Sequence, residues 1–302
     1  LASGHKDNIK MLWIPITLVA AGFQVARNAA QRSLMTGAGP WGATLVRFLF
    51  GLPFSLVFVG IALALLPHDL HFRPVFLAWA TLGGFCQIGA TAALLTAMRR
   101  SSFALGTAFQ QSGLPFAALL GLLVFGDHLH PLAWGGVALA TAGLVALSWP
   151  SRIDGPRDWS AAGLGTLSGG FFALCANAFR QGALSLDPAH PVAAALVTVA
   201  VVQAIQSAAL GGWMAIFDRP SLGAALRSWR VSMGAGAFGA LASAGWFTAL
   251  AMSPAGPVRA VGVVEMPFAA IAGRRLFAEQ LSLRQWLLGG VTTVGVLLAA
   301  LA

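Results

Sequence analysis

The sequence predicts an all-α integral membrane protein, with ten transmembrane helices arranged as two inverted five-helix repeats. Three observations predict it. Hydrophobic residues make up 58% of the 302 and charged residues only 9%. A soluble domain carries about 25% charge, so this surface must face lipid. Second, the chain says one thing twice. Pro115-Phe116-Ala117-Ala118, Gly121, Phe125, Asp127, Leu129, Trp134, Thr141 and Gly143 return 152 residues later as Pro267-Phe268-Ala269-Ala270, Gly273, Phe277, Glu279, Leu281, Trp286, Thr293 and Gly295. Over 29 aligned positions that is ten identities and one exchange of acid for acid, without a gap. Third, each copy lies in a half that holds five apolar spans. Five is odd, so the second half enters the membrane from the opposite side.

The kind of residue shared separates duplication from chance. Two unrelated apolar helices would share Leu and Ala; shared Pro, Trp and an interhelical acid fit chance poorly. The repeat also extends beyond the block. Phe23 and Asn28-Ala29 align with Phe172 and Asn177-Ala178 at an offset of 149, and Ala97-Met98 aligns with Ala251-Met252 at 154. The halves are therefore set at 11–149 and 158–302, one membrane domain in all.

A bilayer crossing needs roughly 20 apolar residues in a helix. The first span, 12–32, carries Gln24, Arg27, Asn28 and Gln31 at i, i+3, i+4 and i+7, one helical face. Such a stripe cannot face lipid and is expected to line a cavity. Val19-Ala20-Ala21 could mark a signal peptide, but the partner run in the second half argues for a retained helix. Gly37-Ala38-Gly39-Pro40 ends it. The second span, 42–66, contains Arg47 and closes at Pro67-His68-Asp69. The third, 74–97, holds Gln87 and stops at Arg99-Arg100. The fourth, 103–125, holds Gln110-Gln111 and Pro115; the fifth is 131–149.

The sixth span, 160–181, repeats the polar stripe weakly as Asn177, Arg180 and Gln181. The seventh, 191–217, carries Gln203 and Gln206, and the eighth, 230–251, carries Trp246. The ninth, 257–277, carries Arg259, Glu265 and Pro267; the tenth is 283–302. Pro115 and Pro267 each free a backbone carbonyl in matching helices, and broken helices border the site in many transporters. Asp127 and Glu279 are expected to cap or brace the loop before the next helix.

Net charge is +9 and the isoelectric point about 11.5. Nucleic acid is not the reason, because the Arg residues sit singly or in pairs between apolar runs with no interleaved aromatics. Basic loops beside apolar spans are the topology signal of an inner-membrane, multi-pass protein. Their bias places the odd-numbered loops in the cytoplasm and both termini outside. Cys86 and Cys175 fall inside spans, so no disulfide framework is expected.

Of nine acids, Glu265 alone lies inside a span, and intramembrane charge is functional by default. Two readings stand together: a structural ion pair with Arg27, Arg47 or Arg259, or a protonatable coupling group. Six regular helical residues place Arg259 and Glu265 about 120° apart, which favours a pair with Arg27 or Arg47 from the other half. The candidate substrate-binding set is Gln24, Arg27, Asn28, Gln31, Gln87, Gln110, Asn177, Trp246 and Arg259, with Glu265 for coupling. Unpaired Arg in a cavity attracts carboxylates and other anions. No catalytic residue, metal site or cofactor is expected. All six His lie near loops, at positions 5, 68, 71, 128, 130 and 190, which argues against a polytopic enzyme acting on lipid-linked substrates. A non-transporting membrane subunit stays open.

Arg47-Phe48-Leu49-Phe50-Gly51-Leu52-Pro53, Leu114-Pro115-Phe116 with Phe125-Gly126-Asp127, Met266-Pro267-Phe268 with Glu279, and Val258 to Glu265 together resemble the drug/metabolite transporter superfamily, specifically its EamA-type ten-helix members. The resemblance covers nearly all of 11–302, with Asp127 where the family usually has Glu. It implies that helices one, three, four, six, eight and nine line a cavity while five and ten pack outside. It also implies cytoplasmic termini, against the charge bias, so orientation is left open. The expected function is a secondary transporter, an exporter of small polar or amphipathic metabolites such as amino acids or organic anions, working by alternating access. The chain has no ATP-binding motif. Its expected partners are a small-molecule substrate and the bilayer, with proton coupling and a homodimer both admitted.

Overall fold

The computed structural model describes residues 12–125, 130–148, 159–279 and 282–301, and among these there are helices and no strands. The helices are α1 (Trp13–Leu49), α2 (Leu52–Leu65), α3 (Pro74–Arg100), α4 (Phe103–Gln110), α5 (Gly113–Phe125), α6 (Pro131–Ser148) and α7 (Trp159–Leu186). They continue as α8 (Pro191–Phe217), α9 (Arg219–Arg227), α10 (Trp229–Met252), α11 (Ala255–Val261), α12 (Glu265–Phe277) and α13 (Leu283–Leu301). A 3₁₀ turn, Gly262–Val264, joins α11 to α12. Among the described residues, seven helical stretches are long and apolar enough to cross a membrane. This is the character of a multi-pass membrane protein. The first stretch, Trp13–Leu65, has 53 residues, long enough for two crossings.

Helix α1 is two arms. Pro40 lacks an N–H and its ring collides with the preceding turn. Gly39 before it adopts φ 64°, ψ −177°, a conformation that a side chain would oppose. In a straight helix Gln31 and Ala43 would stand about 18 Å apart. Instead Gln31 Nε2 donates to the Ala43 carbonyl at 2.6 Å. The chain therefore turns back on itself, and the break expected at 37–40 is a tight helical hairpin. Pro53 removes one further amide, and the second arm is interrupted between Leu49 and Leu52 before continuing as α2.

The fourth and ninth spans are each two helices rather than one. The break comes just before Pro115 in one and Pro267 in the other. The elements fall in step: α5 begins at Gly113 and α12 at Glu265, α4 at Phe103 and α11 at Ala255, α6 at Pro131 and α13 at Leu283, all 152 apart. The closest helix pairings are α10 along α1, α3 along α7, and α13 along α6. The main core combines side chains of α1, α3, α4 and α7 to α12, and small residues let these helices approach closely. The sixth span runs to Leu186, five residues past its expected end, and the third reaches Arg100.

Candidate functional site

The polar stripe of the first span is buried. Gln24, Arg27, Asn28 and Gln31 are each at most 4% exposed. Gln24 donates from Nε2 to Oε1 of Glu265 at 2.6 Å, tying α1 to the start of α12. Arg27 turns onto its neighbour, donating from Nη2 to Asn28 Oδ1 at 2.7 Å and from Nε at 3.2 Å. Arg47, from the second arm, donates from Nη1 to Thr91 Oγ1 on α3 at 3.0 Å. The hairpin brings Arg27 and Arg47 over the same place on α10, where Gly239 leaves room for both side chains.

Arg259 arrives from α11. Its guanidinium carbon lies 5.3 Å from the centre of the Trp246 ring and 5.9 Å from that of Phe172, within cation–π range. Arg27, Arg47, Arg259 and Glu265 are all buried; Arg47 and Arg259 line one cavity together with Gln24, the donor to Glu265. Among the described residues Glu265 makes no ion pair; Gln24 is its hydrogen-bond donor. The expected pairing with Arg27 or Arg47 is thus replaced by an amide contact. The 3₁₀ turn Gly262–Val264 lies between Arg259 and Glu265 and changes their relative disposition. Three residues wound as 3₁₀ turn about 120° each rather than about 100°, which halves the expected separation to about 60°. In the other copy, Gly113 stands where Glu265 does. A Cβ there would lie 2.8 Å from the Gly169 carbonyl and 3.4 Å from Arg259 Nη2, so close packing leaves no room for an acid.

Around these groups is a cavity of about 30 Å³, room for about two waters. Its polar wall is Gln24, Arg47, Gln87, Ser243 and Arg259; its apolar wall includes Phe172, Phe179, Trp246 and Phe247. Phe179 and Phe247 stack with centroids 4.1 Å apart. Several buried donors and acceptors have no protein partner: Arg27 Nη1, Arg47 Nε, Arg259 Nε and Nη2, Trp246 Nε1 and Glu265 Oε2. An unpaired buried polar group costs about 1–3 kcal/mol, and more if charged. The unpartnered atoms of Arg47, Trp246 and Arg259 belong to residues that line the cavity.

The structure brings together Gln24, Gln87, Trp246 and Arg259 of the expected set, with Arg27 and Glu265 alongside. It separates the others by role. Asn28 receives Arg27; Gln31 ties the hairpin; Asn177 donates to the Ala173 carbonyl of its own helix. Gln110 is buried with both amide atoms unpartnered, yet does not line the cavity. Trp246 of the aromatic wall was expected; Arg47, Phe172, Phe179 and Phe247 lie outside the expected set. The signal for Arg47 was present, a lone charge inside a span; phenylalanines in apolar helices give none.

A solved crystal structure of a protein without a more specific description is similar over 97% of each chain, with a TM-score of 0.62 and 14% identity. That likeness shows the fold alone. No family model and no curated protein matches the chain.

Glu279, at the far end of α12, serves a different purpose. Its carboxylate accepts from the Phe103 amide at 2.7 Å and the Ala104 amide at 3.3 Å, while Ser102 Oγ accepts from the Leu105 amide at 3.0 Å. The first three amides of α4 are thus satisfied. The acid braces α4, distant in sequence, rather than the helix that follows it. Its counterpart Asp127 lies outside the described residues.

Proposed function

We propose that this chain is a secondary transporter of the EamA-type drug/metabolite class, an inner-membrane exporter of small solutes that carry a carboxylate or another anionic group, amino acids and organic anions among them. The observation that carries the reading is a set of buried charges, Arg47 and Arg259 lining one cavity, with buried Arg27 and the Gln24–Glu265 contact beside it. The formal excess is two positive charges, and unpartnered N–H groups converge beside an aromatic wall. Uncompensated charge in a low-dielectric interior is costly, and an anionic guest relieves it. The cavity as it stands is too small for a metabolite, as an occluded conformation of an alternating-access carrier would be.

Two further observations support a two-fold internal repeat, with units 11–149 and 158–302. After the interruptions before Pro115 and Pro267 the helices restart at Gly113 and Glu265, 152 residues apart. Exchanging the halves also turns the α1–α10 pairing into the α7–α3 pairing and leaves α6–α13 in place. An axis in the membrane plane relates halves with five crossings each. The test is flux. The purified chain is screened by thermal shift against amino acids, organic anions and organic cations, since a ligand of the folded state raises its stability. Hits are then followed into proteoliposomes. Saturable uptake of an anionic solute that is lost in Arg259→Gln is the expected result; selective uptake of cations, or no flux of any hit, would overturn the reading.

A further inference from the structure

Away from the buried charges, a groove of about 380 Å³ runs between α4, α12 and α13. Its floor is apolar and buried at Ala108 and Ala270, whereas its rim is open: Trp286 is 50% exposed and Val294 52%. Gly290 lies in the wall, and a Cβ built there meets nothing within 4 Å. The groove is thus a furrow that opens outward from a membrane-spanning bundle. What reaches it is the acyl region of the bilayer.

One end of the furrow is charged. Met266, Pro267 and Ala270 line it from α12, and Arg274 continues the same stripe one turn further on. Arg274 is not in the groove wall itself, but helical side chains lean toward the N-terminus of their helix, which directs its reach toward the groove's end. Arg274 and its neighbour Arg275 are exposed, and among the described residues neither has an acidic partner. Trp286, at the start of α13, stands at this same end, because α12 and α13 are joined by a short connection there. An apolar furrow capped by a cation and a tryptophan matches a molecule with a hydrocarbon tail and an anionic head.

We propose that this groove binds one acyl chain of an anionic phospholipid of the surrounding bilayer, with the headgroup phosphate held by Arg274. The proposal does not rest on the transport reading. The test is native mass spectrometry of the full chain in detergent, with phosphatidylglycerol and phosphatidylcholine supplied together. The wild type is expected to retain phosphatidylglycerol about fivefold over phosphatidylcholine, the effect of one Arg at about 1 kcal/mol. Arg274→Gln should remove that preference while still retaining lipid. Gly290→Leu should fill the furrow and lose both lipids, whereas Gly60→Leu, at another open glycine on α2, should behave as wild type. Equal retention of the two lipids by the wild type, an undiminished preference in Arg274→Gln, or full retention by Gly290→Leu would overturn the proposal. Arg274 is exposed, so its variant keeps the test independent of folding.

Discussion

Arg32 donates from Nη1 to Oε1 of Glu279 at 2.6 Å, joining residues 247 apart in the chain. The guanidinium carbon of Arg32 lies 4.2 Å from the centre of the Phe277 ring. Two backbone features aim the carboxylate. Ala278 adopts φ 52°, left-handed, and turns the chain back at the end of α12. Gly273 leaves the space the carboxylate occupies, since a Cβ there would lie 2.6 Å from Glu279 Oε2. The repeated Gly and acid of the second copy are thus one device.

Opposite effects on stability are expected from these two backbone positions. Gly273→Ala should displace Glu279 from the α4 amides and destabilise by about 1–3 kcal/mol. Ala278→Gly should remove left-handed strain and stabilise by up to about 1 kcal/mol. Thermal unfolding in detergent measures both, and equal signs would sink the account.

Removing a buried cation should cost affinity for charged solutes only. Arg259→Gln is expected to weaken binding of an anionic hit by about tenfold or more, from a charged hydrogen bond worth about 1.5–3 kcal/mol. Binding of the neutral amide of the same compound should change little. Isothermal titration of both compounds provides the comparison, and equal losses would point to collapse of the cavity instead.

Glu265→Gln keeps the shape and the contact with Gln24 while removing the charge. Flux of the variant should lose its dependence on external pH, with melting temperature close to that of the wild type. A pH profile like that of the wild type would leave Glu265 a structural residue.

Between the sixth and seventh spans, Asp187 ties two loops together. It accepts from the Asp69 amide at 2.6 Å and pairs with His190 Nδ1 at 2.9 Å. Loss of water opposes its charge, but the Asp69 amide and the His190 contacts outweigh that and hold the carboxyl below its usual range. A lowered carboxyl pKa stabilises the fold above the unfolded value of about 3.9 and ceases to as pH falls through the folded value. Asp187→Asn should therefore melt below wild type at pH 7, and the gap should close on acidification below about pH 4. A gap constant from pH 7 to pH 3 would contradict this.

Much of the architecture was legible because apolar length and helix-breaking residues are local. Pro115 and Pro267 mark the two broken helices, and the stripe from Gln24 to Gln31 marks a buried face. Long-range geometry was not legible. Nothing near Arg47 announces that the Gly39–Pro40 turn lays it beside Arg27, and nothing near Glu279 announces the amides of Phe103 and Ala104. The Glu265 partner, Gln24, was not legible because which polar group of the first helix reaches it is set by how that helix packs on the ninth span. Phe172, Phe179 and Phe247 look like any other lipid-span phenylalanines until the helices are packed.

The tie from Gln31 to the Ala43 carbonyl has a mechanical consequence. It cross-links the two arms of α1 beside their fold, so the hairpin behaves as a stiff lever rather than a hinge. Arg27 rides on one arm and Arg47 on the other. If the arms tilt together, the spacing between the two cations is preserved, and Gln24 on the first arm carries its contact with Glu265 along.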